Sequence, residues 1–529
     1  MFDIENPLVC ISDYLSFYSV KSPKHEAVIC GGHRLNYRCL ELKVRQCSKA
    51  LLASGVKKGD CIAVIANPCV EYWVTFLAAT KIGAIWMGIN PKYRFQEVEY
   101  VVTDARPKII FSMADSEQDT YIERIVGGCD GHKFIDTLVT TSNSCSSTIS
   151  FDMFLSRSFE ISDYQLKKSQ KHVMANDPAL LVYTSGSTGK PKGALLSHYG
   201  LCFGASVAAW HVDLDRPRTI CNFPINHVAC VADTCCVNLV AGGTIIFQNR
   251  FDPNLVLSAI SEEHVTLLGG VPTMYLMLLD HPDFEKTNFS SVELIAWGGA
   301  AMPLDVVERL QTVSPRLMNV YGMTETAANT TYTSPDADLV ELSETIGRPS
   351  PHTPCRILND QGEECEVGEY GELQFKGEHL LLEYLNRPEA TRDVYTKDGW
   401  LHTEDLGYWR ENGTITLVGR LSDMFKSGGY NVYPREVEDI LENFPAIEMA
   451  AVVAIPDPHY QEIGAAFIQV RDPSAFDIDA LRAYCKTHLA NYKIPKTFSM
   501  LKALPVLPIG KVDKVSLKQK AIAQQKETA

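Results

Sequence analysis

Residues 180–198, Leu180-Leu-Val-Tyr-Thr-Ser-Gly-Ser-Thr-Gly-Lys-Pro-Lys-Gly-Ala-Leu-Leu-Ser-His198, decide how the rest of the chain reads. Ala179 to Tyr183 has the length and the β-branched and aromatic content of a buried strand. Thr184, Ser185, Gly186, Ser187, Thr188 and Gly189 follow, and Lys190 and Lys192 flank Pro191. Glycine admits backbone angles that turn successive N–H groups toward one point, hydroxyls add donors there, and lysine adds positive charge. The combination describes an anion cradle suited to a polyphosphate. A Walker A loop needs four residues between its glycine and the Gly-Lys pair, with Ser or Thr next. Here two residues separate Gly186 from Gly189, and Pro191 follows Lys190. A nucleophile elbow needs glycine two positions before its serine, whereas Ser185 stands before Ser187. Neither fits, and a bland Ser/Gly-rich surface loop is the remaining alternative.

The flanking chain is long enough for two or more cores, at 529 residues. Its 46% apolar and 21% charged content is that of a water-soluble globular protein. The net charge of −15 and the lack of a basic stripe argue against nucleic-acid binding. Anionic substrates must then be drawn by local positive charge. The 16 cysteines are irregularly spaced, without a CxxC pair or a signal-peptide pattern ahead of them. Reduced, mostly buried thiols and a cytoplasmic location are expected. The longest apolar region, Cys61 to Asn90, is broken by Pro68, Glu71 and Lys81, so no transmembrane segment is expected. A homodimer stays open.

Outward from the loop the pattern alternates. Leu40, Val44, Cys47 and Leu51 recur at helical spacing with Gly55 as a stop. Strands are expected at Cys61–Ala66, Ala84–Met87 and Ile109–Ser112, with a helix over Val70–Thr80, which together predict parallel βαβ units. Asp115–Tyr164 reads as a polar surface segment. A helix over Tyr199–Trp210 follows, then strands at Thr244–Phe247, Thr266–Val271 and Ser291–Trp297. Gly368–Gly377 suggests a smaller β subdomain. Beyond Pro434, an amphipathic helix (Val437, Ile440, Leu441, Phe444), strands at Ala450–Ile455 and Ala466–Val470, and a helix over Ala480–Leu489 make a compact α+β unit.

The segment Thr184–Gly193 resembles the phosphate-binding loop of the adenylate-forming superfamily, which holds acyl-CoA synthetases, peptide-synthetase adenylation domains and beetle luciferases. Further signatures follow in the expected order. Asn222–Ala229 resembles the segment that ends beside the acyl carboxylate, with His227 at the matching position. Gly298-Gly299-Ala300-Ala301 resembles the turn that lies against adenine, with Ala301 where proline is usual. Tyr321-Gly322-Met323-Thr324-Glu325 implies that Tyr321 stacks on adenine, Thr324 contacts the α-phosphate and Glu325, with Thr188 and phosphates, holds Mg²⁺. Asp405 matches the ribose site and Arg420 the arginine on ribose or phosphate. On residue type alone, His402 with Asp405 is a weak metal pair. Ser422 marks the hinge, Gly428-Gly429 the turn beside a CoA passage, and Lys511 the catalytic lysine.

The resemblance implies an α/β fold. Residues 1–421 form a large N-terminal adenylation domain of doubly wound βαβ subdomains plus the small β subdomain, and residues 422–529 a mobile α+β lid. It implies an ATP-, Mg²⁺- and CoA-using ligase that activates a small-molecule carboxylic acid as acyl-AMP and passes it to CoA. Lys511, Thr188, Thr324 and Glu325 are its catalytic candidates. Ala229 and Ala296 are small and leave room for a long or bulky acyl group, with Gly322 beside it, while Trp297 lines the pocket or packs. Fatty acids are expected first and aryl or alicyclic acids next. A stand-alone enzyme loading a carrier protein is the alternative, and a nucleotide sensor without turnover a more distant one.

Overall fold

The structure, a computed structural model, describes residues 4, 6–113, 135, 137–140, 148–184, 191–421, 423–474, 476–507 and 511–528. The alternation of short apolar runs with helices produces two mostly parallel sheets. In the first, Pro178–Thr184, Ile85–Ile89, Cys61–Ile65, Ile109–Ser112, Thr137–Thr140 and Thr148–Ser150 run parallel in that order. Lys192–Ser197 and Glu383–Tyr384 extend it antiparallel beyond Pro178–Thr184. The helix Tyr37–Ala53 starts where the Asn36 side chain accepts the Cys39 N–H, and it buries Leu40, Val44, Cys47 and Leu51. Gly55, at φ +79°, takes the left-handed turn after it.

The second sheet has a parallel core of Leu317–Gly322, Leu294–Gly298, Leu267–Gly270, Arg218–Cys221, Thr244–Phe247 and Glu26–Cys30. Antiparallel strands flank both ends. Neighbouring residues of one strand enter different cores, because successive side chains leave a strand on opposite faces. Ile245 packs with Val28 and Tyr18, whereas Ile246 packs with Ile29 and Ile220 on the other side. Both faces are therefore covered, which is the doubly wound arrangement expected. Each such buried side chain stabilises the fold by about 1.5–3 kcal/mol.

The small β subdomain is an antiparallel sheet of Cys355–Leu358, Gly371–Phe375, Leu401–Trp409 and Ile415–Arg420. After it, Phe425–Ser427 opens a separate sheet with Tyr430–Val432, Gln461–Val470, Ile447–Asp457 and Thr497–Leu501. Ala450, Val452 and Ala454 face the helices Pro434–Glu442 and Ile478–His488. Ala451, Val453 and Ile455 face Leu517 and Ala521 of the helix Lys514–Thr528. The continuous apolar run is thus a strand buried on both sides.

The surface expectation for Asp115–Tyr164 fails in its described parts. Thr137–Thr140 and Thr148–Ser150 add two strands, and Phe154 packs beside Phe111 in the core. Hydroxyl-rich strands at a sheet edge carry too little apolar periodicity to be seen in sequence. Among the described residues, no helix is long and apolar enough to cross a membrane.

Candidate active site

A cavity of about 2650 Å³ opens at the carboxyl ends of the second sheet's parallel strands and is closed by the small β sheet and the C-terminal unit. Such strand ends are where open α/β sheets bind ligands. At the end of Leu317–Gly322, a Cβ on Gly322 would sit 2.5 Å from the Ala328 carbonyl oxygen, so a bare backbone is required. The short turn Thr324–Thr326 follows, held by the Met323 N–H donating to Thr326 Oγ1 at 3.0 Å. It brings Thr324 and Glu325 to the cavity wall. The Tyr384 hydroxyl donates to Glu325 Oε1 at 2.7 Å, and Lys192 Nζ lies 5.2 Å from the centre of the Tyr384 ring.

Ser185, Gly186, Ser187, Thr188, Gly189 and Lys190 lie outside the described residues. The strands they join are antiparallel, with Thr184 paired to Lys192. Tyr100 donates to the Pro191 carbonyl at 2.7 Å and Tyr183 to Asp104 at 2.9 Å, which anchors the base of the loop.

Asp405 and Arg420 face each other across the small sheet's ladder. Arg420 Nε donates to Asp405 Oδ1 at 2.8 Å, and the Tyr321 hydroxyl donates to Oδ2 at 2.6 Å. Burial and the adjacent carboxylate push the Tyr321 phenol well up, while Asp405 raises the Arg420 guanidinium. His402 does not join this group as a metal ligand, because its Nδ1 lies 2.8 Å from Glu372. Among the described residues, the one cluster with metal-ligand geometry is a buried trio of Cys221, Cys230 and Cys235, with the Tyr72 hydroxyl against two of them.

Lys511 enters from the C-terminal unit. A Cβ on Gly299, whose φ is +82°, would lie 3.1 Å from Lys511 Cε, so the lysine stem runs over that turn. Burial and then the nearby Arg420 push the Lys511 ammonium down, with Asp405 opposing them. Burial, then Lys511, pushes His227 down to about 4. Its imidazole is neutral at pH 7, and Nδ1 accepts the Ala229 N–H at 3.2 Å, which assigns the proton to Nε2. Ala229, Ala296, Ala300 and Ala301 line the same cavity. Trp297 touches the cavity but is 1% exposed and packs into the core behind the sheet with Ile295 and Met302, so its indole acts mainly as packing.

Gly428 and Gly429, at φ +58° and +87°, turn the hairpin Phe425–Ser427 to Tyr430–Val432. They are absent from the cavity lining that contains Lys511. Ser422 falls outside the described residues, between the last strand of the small sheet and the first of the C-terminal sheet. Tyr384 and Asp233 also line the cavity and carry no motif. A signal for Asp233 did exist: apart from His227, it is the sole ionisable acid or base of the Asp/Glu/Lys/Arg/His types between Arg218 and Arg250.

Strand ends meeting at one cavity, with a lysine supplied by a separate C-terminal unit, define a two-part α/β protein with its cleft at the strand carboxyl ends. The chain belongs to the AMP-binding enzyme family: that family's model matches residues 18–385, and the AMP-binding enzyme C-terminal domain matches residues 436–511. It is similar to a feruloyl-CoA synthase of Amycolatopsis sp, 32% identical over 94% of this chain and 96% of that protein. An indoleacetate–CoA ligase of Aromatoleum aromaticum is 30% identical over 96% of this chain and 98% of that one. Among solved structures, ATP-bound MatB from Rhodopseudomonas palustris superposes with a TM-score of 0.83 at 26% identity, covering 97% of this chain and 99% of that one.

Proposed function

We propose that the protein is an ATP-dependent acid–CoA ligase. A carboxylate oxygen attacks the α-phosphorus of ATP, the bond to the bridging oxygen breaks, and pyrophosphate leaves an acyl-AMP. A CoA thiolate then attacks the acyl carbon and AMP departs with the electron pair. The observation that carries this reading is Lys511, delivered from the C-terminal unit to the Gly299 turn beside Asp405, Arg420 and His227. The first step needs alignment and charge neutralisation rather than a protein nucleophile.

Roles follow from what each group touches. Asp405, its oxygens oriented by Tyr321 and Arg420, accepts from the ribose hydroxyls, and the Gly299–Ala301 turn lies against adenine, with the Tyr321 ring stacked on it. The loop Thr184–Lys192 and Thr324 hold the phosphates, and neutral His227 presents an Nε2–H to the acyl carboxylate. Glu325 fits a magnesium ion. It is an oxygen donor, preferred by that hard cation, and Tyr384 fixes one of its oxygens and leaves Oε2 without a hydrogen-bond partner among the described residues. With Thr188 and phosphate oxygens, Glu325 would hold the ion, which neutralises phosphate charge when bound. The position of Gly428-Gly429 outside the cavity suits the adenylating arrangement. Rotation of residues 422–529 near Ser422 withdraws Lys511 and brings that turn in for the thiol step.

Relatives named for ferulate and indoleacetate support an aryl acid beside the fatty acid suggested by small pocket residues. Acid-dependent pyrophosphate release from ATP, measured with and without CoA, tests the reading. Release and thioester formation with CoA are expected. Release without thioester formation would favour a carrier-protein acceptor, and no release with any acid would refute the ligase.

A further inference from the structure

The helix Ala229–Cys236 is wound as a π-helix, a rare form that is frequent at functional sites. It presents Asp233 to an otherwise mainly apolar part of the cavity wall, with Ala208, Val212, Val237 and Met318. Asp233 Oδ1 is out of solvent and has no hydrogen-bond partner among the described residues. Tyr332, close enough for the Asp233 charge to act on its phenol, has its hydroxyl spent elsewhere, donating to the Asn329 carbonyl at 3.0 Å. Burial alone pushes the Asp233 carboxyl up to about 7, without a cation to offset it. An unsatisfied buried polar group is costly, and more so when charged. A group retained at such a cost beside a ligand cavity is completed when the ligand arrives.

We propose that Asp233 is a specificity-determining residue of the acyl pocket, accepting a hydrogen bond from a hydroxyl or amino group at the far end of the acid. The substrate class is then a donor-tipped carboxylic acid rather than a plain hydrocarbon one. Asp233 stands five residues past Val228, itself next to His227, which is one i→i+5 turn farther along this π-helix. That span suits one aromatic ring with a short arm. The inference rests on the acid-activating reading, with the reacting carboxylate at His227.

The test uses the full chain and matched acids: phenylpropanoate with its para-hydroxy and para-amino forms, and a straight-chain acid with its ω-hydroxy form. The kcat/KM of pyrophosphate release is compared within each pair. The wild type should favour the donor-bearing member by on the order of 10²-fold or more, since a polar site left unpaired rejects the analogue that lacks its partner. Asp233→Ala should bring the members of each pair to within about threefold and raise the melting temperature, because an unpartnered group has been removed. A carboxylate with a merely structural role would lower it. Asp233→Asn keeps an acceptor oxygen and should retain part of the preference for the hydroxyl and for the neutral para-amino group alike, since both are uncharged donors. That variant decides the matter if Asp233→Ala does not fold. Equal activation of both members by the wild type, or a ratio unmoved in both variants, overturns the assignment and leaves the ligase standing. No release with any acid overturns both.

Discussion

The Lys511 side chain runs over the Gly299 turn beside Arg420, and the proposed ligase chemistry needs positive charge where charge develops at the α-phosphate. Fixed charges of this kind usually supply the largest catalytic contribution. Lys511→Ala should slow adenylation by on the order of 10²–10³-fold with the melting curve retained. A wild-type single-turnover rate would sink that assignment. Glu325→Gln removes a full charge from the oxygen left open beside Tyr384 and should raise the Mg²⁺ concentration for half-maximal adenylation by roughly tenfold or more, about 1.4 kcal/mol. An unchanged magnesium dependence would place the ion elsewhere. Lys511, Tyr321 and Asp405 were legible because each lies in a motif whose neighbours repeat the pattern. Tyr384 was not, since an aromatic residue in the leucine-rich stretch Leu380–Leu385, broken by Glu383, reads as core until Glu325 is seen against its hydroxyl.

Strands were the easiest elements to foresee, and the reason is visible in Ile109–Ser112 and Thr244–Phe247. Both are short, uniformly apolar or β-branched, and bounded by turn residues. Lys192–Ser197 escaped because lysine and glycine open it, although its antiparallel pairing with Pro178–Thr184 holds the phosphate loop's ends together. The helix Lys514–Thr528 escaped because only its Leu517 and Ala521 are fully buried against the sheet. The break between Arg420 and Phe425 separates two sheets with no shared strand, which is why the proposed rotation is assigned to it. Ser422→Pro, which fixes one backbone angle there, should slow thioester formation by on the order of tenfold more than adenylation. Stopped-flow measurement of the two half-reactions checks this, and equal losses would count against a pivot.

The whole molecule carries several buried imidazoles. His198, His211, His227 and His379 are each pushed down to about 4, with burial the leading cause. These are bases with folded values below their unfolded one near 6.5, so between pH 4 and 6.5 the unfolded chain binds more protons. Their contribution to stability is present above pH 6.5 and is lost as pH falls, at about 1.4 kcal/mol per unit for each group. Asp233 opposes this, since its carboxyl takes up its proton first in the folded chain. The four histidines act across this whole window and His25 shifts the same way, so the melting midpoint should drop from pH 6.5 to 4.5 despite Asp233 and the other acids that burial pushes up, Asp13, Asp439 and Glu442. His198→Leu should flatten that slope, because both ring nitrogens of His198 lack hydrogen-bond partners among the described residues. A slope unaltered in that variant would contradict the argument. Among the described residues, Arg471 of the C-terminal unit meets Asp305 at 2.8 Å on an exposed surface, a pair worth about 0–1 kcal/mol.

Glu26–Cys30 is a strand of the second sheet, lying beside Thr244–Phe247 with Val28 opposite Ile245. During synthesis at roughly 5–20 residues per second, the earliest strand must wait on the order of 10–40 s for its neighbour to leave the ribosome. The nascent lobe cannot mature from its amino end onward, and a pause or truncation in that interval leaves an apolar edge for chaperones to guard.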